Sequence, residues 1–452
     1  MILNRRYFEN GVSPDTLSKL ITANETQRSH RQGLMDYYLG KHSILSRPKK
    51  SMGAANNKIV ANYAKYITQM STAYFLGSPV TYSAGEGTDI KAIKDEYFAQ
   101  NLSSVDCEIA KGSSIYGNAV ELVYSDEAAV PRSVYLPPVS AFVVYDDTVK
   151  RSKLFGVYYY REINIDGSLG DGVIYYADDR YIRRYKGYNG FTQIEVTGEE
   201  EEHYFGAVPF IEYKNNDECQ GDFEQEISII DSYNTLMSDR VNDKEQFVDS
   251  FLLLLGLDIT SDEAKELKEE KILCGEPGGE GKYLSRALSE SDVEVLRNAL
   301  IEDIHKMSMV PDLTDEAFAG NVSGVAIKYK LLGFEQSIRN KERLFEKGLR
   351  ERLELYMNFL NVKKNVAVVP LHEIDIEFHR NLPANELEIA QMVSTLSGIV
   401  SDETLLARVP FVTDAKEEAE LAAQERQNKQ EAALNAMGGY KTPVKASEDD
   451  EE

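Results

Sequence analysis

The sequence predicts an α+β fold, and three observations carry that expectation. Apolar residues recur at helical spacing through most of 15–116 and again after 222. Between them, residues 118–213 are rich in Tyr, Val and Ile and are punctuated by Asp166–Gly167, Asp171–Gly172 and Asn189–Gly190. Asx-Gly pairs between β-rich runs turn tight hairpins, because both residues tolerate positive φ. Finally, one apolar stripe runs from 325 to 361, well beyond the average globular helix. With 42% apolar and 10% aromatic residues in a chain of 452, a sizeable core is available for roughly two to four domains.

Taken in order, residues 15–40 and 56–76 read as helices, the second carrying Ile59, Tyr63, Tyr66, Ile67 and Met70 and stopping at Gly77–Pro79. Shorter helices follow at about 88–100 and 104–116. Strands are expected near 119–124, 141–145, 154–163, 172–177, 180–186 and 191–196, with Glu199–Glu202 as a solvated turn. Eight of the 27 Tyr lie in 153–196, where a half-buried pleated face accounts for them more simply than a base-stacking platform. The periodicity of Phe223, Ile227, Ile230, Met237, Val241 and Val248 predicts a helix of about 25 residues, interrupted by Asn234 and Lys244. A stretch of different character, 250–290, is centred on CGEPGGEGKYL. Ser289 and Asp292 then open a helix with Val293, Leu296, Leu300, Ile304 and Met307. A loop with Pro311, Gly320 and Gly324 precedes the long helix, whose interior Gly333 and Gly348 would let it bend. A strand at 372–380 and helices at 386–398 and 414–434 complete the order. The acidic tail, 435–452, is expected to be disordered.

Charge is segregated. Fifty Lys and Arg oppose 75 Asp and Glu, a formal net charge of −25, which disfavours non-specific binding of nucleic acid through neutralised phosphates. Residues 1–78 and 325–364 are locally basic, whereas 222–249 holds eight acidic residues against Arg240 and Lys244. Three widely spaced cysteines (Cys107, Cys219, Cys274) offer neither a disulfide framework nor a thiolate zinc site. The longest apolar run, 251–257, is too short to cross a bilayer, and MILNRRYFENG lacks the apolar core of a secretory signal, so no membrane association is expected.

Catalytic motifs fail on spacing. A phosphate loop ending at Lys282 would need Gly at 276 and Ser or Thr at 283, where Glu276 and Tyr283 stand. Glu302 and His305 are three apart on a helix, but a carboxylate-bridged metal pair needs a second such motif. His372–Glu373 lacks the second His of a zinc protease, and no G-x-S-x-G elbow exists. No catalytic residue, metal or cofactor is expected. The rival reading from another class is a hydrolase with a carboxylate-lined cleft on the β-rich middle.

Four stretches, in order, resemble the portal, or head-to-tail connector, proteins of tailed bacteriophages, in the branch common among long-tailed phages of Gram-positive hosts. They are NKIVANYAKYITQMSTAYFLGSPVTY (57–82), IEYKNNDECQGDFEQEISIIDSYNTLMSD (211–239), VPDLTDEAFAGNVSGVAIKYKLLGFE (310–335) and KGLRERLELYMNFLN (347–361). The resemblance implies a subunit with a wing (1–220 and 325–384), a helical stem (221–248 and 291–308), a small α/β clip (249–290), a tunnel loop (309–324) and a helical crown (385–434). It implies a ring of twelve at one capsid vertex of the virion, assembled in the host cytoplasm, with double-stranded DNA passing through during packaging and ejection. Its implied partners are the terminase large subunit, the head-completion adaptor, and the major capsid and scaffolding proteins. Within that frame Asp312, Asp315, Glu316, Asn321, Val322 and Ser323 would meet DNA at the tunnel loop. Glu224, Asp231, Asp239 and Asp243 would line the channel as phosphate-repelling stem residues, and Lys268 and Lys271 would contact partners at the clip.

Overall fold

The computed structural model describes residues 1–8, 11–49, 55–85, 87–248, 251–255, 280–284, 290–313, 329–380, 386–409, 412 and 414–437. The chain opens with β1 (Ile2–Leu3), a 3-10 turn at Arg5–Phe8, α1 (Pro14–Glu25) and α2 (Arg28–Tyr38). There follow α3 (Tyr63–Leu76), β2 (Thr81–Ala84), α4 (Lys91–Ala99) and α5 (Leu102–Tyr116). The β-rich middle comprises β3 (Asn118–Ser125), β4 (Pro131–Leu136), β5 (Ala141–Asp146), β6 (Lys153–Ile163), β7 (Leu169–Ala177), β8 (Tyr181–Tyr188), β9 (Gln193–Val196), β10 (Glu201–Glu202) and β11 (Phe210–Lys214). Beyond it lie α6 (Ile227–Val248), the paired β12 (Phe251–Leu255) and β13 (Glu280–Leu284), α7 (Glu290–Ser308) and α8 (Leu332–Lys364). The described chain closes with β14 (Ile374–Glu377), α9 (Glu386–Leu396), α10 (Asp402–Leu406) and α11 (Ala415–Met437). Helix and strand are mixed as the α+β expectation requires.

The largest sheet runs β1-β5-β6-β7-β8-β10, with β9 also on β8; β1 is parallel to β5 and the other pairs are antiparallel. Side chains alternate across it. Phe155, Val157 and Tyr159 of β6 pack with Leu17, Leu20 and Ile21 of α1 on one face. Ala141 and Val143 of β5 face the other way, against Leu136 and Phe210 of a three-stranded sheet β11-β3-β4. The main core surrounds α8, where Phe345, Leu349, Leu353, Tyr356 and Leu360 meet Phe75 of α3 and Tyr213 of β11. Within it Arg352, fully buried, donates from Nε to Glu121 Oε1 (2.7 Å) and from a terminal nitrogen to Asp106 Oδ1 (2.6 Å). Tyr213 Oη donates to the other Glu121 oxygen (2.6 Å). Burial opposes the guanidinium's charge, but the two carboxylates outweigh it and hold the proton on Arg352. One residue thereby ties α8 to α5 and β3.

Several sequence expectations need correcting. The helix over 15–40 is two helices, broken at Thr26–Gln27. The helix over 56–76 begins only at Tyr63, where Asn62 Oδ1 accepts the Lys65 N–H (3.0 Å) as its N-cap; residues 57–62 are not helical, because their N–H groups go elsewhere. Asn189 and Gly190 do carry positive φ (49° and 68°), as a primed hairpin turn demands. Asp171–Gly172 instead lies inside β7, and a Cβ at Gly172 would sit 2.2 Å from the Phe191 ring, so the glycine serves packing rather than turning. Gly348 likewise admits the Tyr213 ring, 2.3 Å from where a Cβ would be. The Glu199–Glu202 run is half strand: Glu201 and Glu202 pair with Ile182 and Tyr181. Strands β1, β2, β4 and β11 and helix α10 have no counterpart among the elements expected from the sequence.

Candidate functional site

Helix α6 carries three of the four acidic residues singled out in the sequence, Asp231, Asp239 and Asp243, and its surroundings are dictated by what it does with its polar residues. Asn234, Ser238 and Asn242 recur every fourth position, so they form one polar row. Their side chains accept the backbone N–H groups of alternate residues in 57–61. Asn242 Oδ1 takes Asn57 N (2.7 Å), Ser238 Oγ takes Ile59 N (2.9 Å) and Asn234 Oδ1 takes Ala61 N (2.8 Å). The match is geometric: four helical residues rise about 6 Å, and two extended residues span about 6.6 Å. All three side chains are buried, and Asn234 and Ser238 completely.

The same row extends into a fixed histidine. Asn234 Nδ2 donates to His42 Nδ1 (2.8 Å), and His42 Nε2 donates to the Tyr37 carbonyl (3.1 Å). The ring is thus held as the neutral Nε2–H tautomer, stacked on Tyr37 at 3.8 Å, and burial lowers its pKa.

The predicted channel acids are distributed unequally around this assembly. Glu224, just ahead of α6, accepts the Gly221 N–H (2.9 Å) and meets His30 Nε2 at 3.0 Å. Asp231 accepts the Tyr37 hydroxyl (3.0 Å), and burial pushes the ionisation of that phenol well above its ordinary value. Asp239 pairs with Arg47 at 2.7 Å. These three turn toward the amino-terminal segment of their own chain. Asp243 is exposed.

A half-buried carboxylate and a buried one close the start of α6. Asp222 accepts Asn215 Nδ2 (2.8 Å) and is ion-paired to Lys341 of α8. Glu226 is 3% exposed and its Oε2 has no hydrogen-bond partner among the described residues. Burial first, then the Asp222 charge, raises its pKa to about 7.

Helix α7 joins α6 through Arg240, which donates to Glu294 (3.2 Å), while Arg297 holds the other Glu294 oxygen (2.6 Å). At the far end of α7 the residues that open the 309–324 segment, Met309 to Pro311, are anchored firmly. Met309 takes φ +59°, Val310 is buried, and its carbonyl accepts His305 Nδ1–H (2.9 Å). The Pro311 carbonyl accepts the Tyr66 hydroxyl (3.1 Å), and the His305 ring meets Tyr63 and Tyr66 edge-on. Asp312 Oδ2 lies 3.9 Å from His305 Nε2. These groups border a cleft of about 990 Å³. Asp315, Glu316, Asn321, Val322 and Ser323, and Lys268 and Lys271 of the proposed clip, lie outside the described residues.

The sequence reading missed the Asn234–Ser238–Asn242 row, treating Asn234 only as an interruption of an apolar stripe. Its signal was the four-residue spacing of small polar residues. It also missed Arg352, an arginine set between Leu349 and Leu353 on the apolar stripe of the long helix. On the β-rich middle, Asp126 is held below the usual carboxylate range by the Val130 N–H and then by Arg132, so it is a turn staple and no proton donor.

The chain is similar to known proteins over most of its length. The family described as phage portal protein, SPP1 Gp6-like, matches residues 17–432. A portal protein of Clostridium phage phiCD119 is 23% identical over 443 residues, covering 91% of this chain and 96% of that protein. A portal protein of Bacillus phage SPP1 is 25% identical over 412 residues, covering 84% and 80% respectively.

Proposed function

The chain belongs to the SPP1 Gp6-like phage portal protein family, a structural and non-enzymatic one, and from that premise we propose that twelve copies close head-to-tail into a ring at one capsid vertex. Double-stranded DNA enters through the ring's channel during packaging and leaves by it at ejection. The terminase large subunit and later the head-completion adaptor dock at the segment 249–290, through Lys268 and Lys271, and the major capsid and scaffolding proteins surround the β-rich part. The match across residues 17–432 carries this reading.

On this reading α6 and α7 are the stem, and the acidic wall rests on exposed Asp243 rather than on Glu224, Asp231 or Asp239, which are engaged within the chain. An acidic wall repels phosphates and so releases no counterions to a passing duplex, which keeps transit free of gripping contacts. The anchored start of the loop, fixed by Tyr66 and His305, supports a stiff base from which residues 315–323 reach the DNA.

Sedimentation of the purified chain should show a species near 611 kDa, twelve times 50.9 kDa, with a central hole in end-view electron micrographs. Val322→Lys should leave that species intact and lower the DNA packaged per capsid. Monomers or dimers at every protein and salt concentration would sink the ring. Normal packaging by Val322→Lys rings would remove the loop from the channel.

A further inference from the structure

The β-rich middle carries a groove that remains open among the described residues. It lies between the three-stranded sheet and the outward face of β6–β8, measures about 960 Å³, and is open to solvent. Its floor is aromatic: Tyr158, Tyr160 and Tyr175 pack with ring centroids 5.4, 6.0 and 6.5 Å apart. Arg184 already stacks over Tyr175 at 5.5 Å, so the floor accepts a guanidinium. Its rim is acidic. Glu127 and Glu201 are exposed, and their carboxylates make no hydrogen bond or ion pair among the described residues.

A matching ligand sits elsewhere on the same chain. The 3-10 turn Arg5–Phe8 is held down by Phe8, whose ring meets Phe155 edge-on at 5.1 Å on the face that α1 covers. Arg5, Arg6 and Tyr7 then project into solvent, with Tyr7 76% exposed and both guanidinium groups free of hydrogen bonds and ion pairs among the described residues. The turn cannot reach its own groove. Met1 N donates to the Val143 carbonyl (2.7 Å) and β1 is paired to β5, so the turn is fixed at the β1 edge of the sheet, whereas the groove opens on the opposite face toward β8.

We propose that the tyrosine-floored, acid-rimmed groove receives Arg5, Arg6 and Tyr7 of a second copy of this chain. Two different surfaces on opposite faces of one sheet make a heterologous contact, the kind that repeats around a ring. The guanidinium groups stack on the tyrosines and pair with Glu127 and Glu201, and Tyr7 adds a further ring to the cluster. The inference rests on the ring reading above and specifies one of its contacts.

The test uses the full-length chain with p-benzoylphenylalanine in place of Tyr7, irradiated after assembly and mapped by peptide mass spectrometry. We expect crosslinks between copies to peptides within 122–134, 158–184 or 201–203. The charge reversals Arg5→Glu with Arg6→Glu, or Glu127→Lys with Glu201→Lys, should each reduce the ring fraction at limiting protein at least tenfold, and the combined four-site variant should recover it. Crosslinks to any other region, or none at all in rings of normal mass, would overturn the groove assignment and leave the portal reading standing. So would a photoreactive residue at Tyr160 that captures a capsid or scaffolding chain in co-expressed procapsids instead of residues 5–8. If the unmodified chain itself never sediments as a ring, the ring reading fails, and this contact with it.

Discussion

Glu226 and Arg352 are both buried charges, and they differ in what surrounds them. Arg352 has two carboxylates within 2.7 Å and remains charged, so its removal would strand two acids in the core. Glu226 has an oxygen without a partner among the described residues and an acidic neighbour, so it keeps its proton to a pKa of about 7 against an ordinary 4.5. The sign follows directly. Between pH 4.5 and 7 the folded chain holds a proton that the unfolded chain releases, so stability declines as pH rises through that window. The full loss, reached above about pH 7, is on the order of 3 kcal/mol. We expect Glu226→Gln to flatten the dependence of Tm on pH across this range and to raise stability most at pH 8. Thermal unfolding of both proteins from pH 5 to 8 checks this; parallel curves would show that the carboxyl is already ionised at pH 5.

At the scale of elements, the row on α6 makes a specific demand. Asn234 satisfies the Ala61 N–H and His42 together, so Asn234→Leu leaves a half-buried amide and a buried imidazole nitrogen unpaired and should cost about 2–4 kcal/mol. The loss should be local first: amide exchange at Ile59 and Ala61 is expected to accelerate at least tenfold, while amides of β6 and β7 keep their protection. Unchanged exchange at Ala61 would mean that the row contributes nothing to holding the segment. This row also marks where sequence reasoning stopped. The hairpin at Asn189–Gly190 was legible because both residues announce positive φ locally. The helices α3, α7 and α11 were legible from apolar period, with Asp414 capping α11 as its spacing to Glu417 suggested. Residues 57–61 were not, because an apolar stripe compatible with helix was overridden by side chains some 180 positions later. The partners of Arg352 were hidden for the same reason: nothing near position 352 names Asp106 or Glu121. Of the candidate acids, sequence supplied the sign of the charge on α6 but not which side chains its own amino-terminal segment would occupy.

The whole molecule brings opposing electrostatic ranges into play. Each subunit carries −25, so copies approaching one another repel over distances that salt screens easily. Close complementary contacts, by contrast, act over a few ångströms and weaken only at higher salt. Ring formation should therefore improve from about 0.01 M to 0.15 M salt, where the screening length falls from about 30 Å to 8 Å, and decline well above that. Sedimentation across a salt series reads the optimum; a steady fall from the lowest salt would show that contact pairs dominate throughout. A last consequence concerns how α6 can move. Its three polar side chains act as the teeth of a rack, and the amide groups of 57, 59 and 61 as the slots. A shift of a fraction of a turn disengages every tooth at once, so small sliding or rolling of the helix against that segment is forbidden. The two pitches differ by about 0.6 Å per tooth, so a much longer rack would fall out of step. Motion is thereby coupled: α6 carries residues 57–61 with it as one rigid bar, or it releases all three amide groups together.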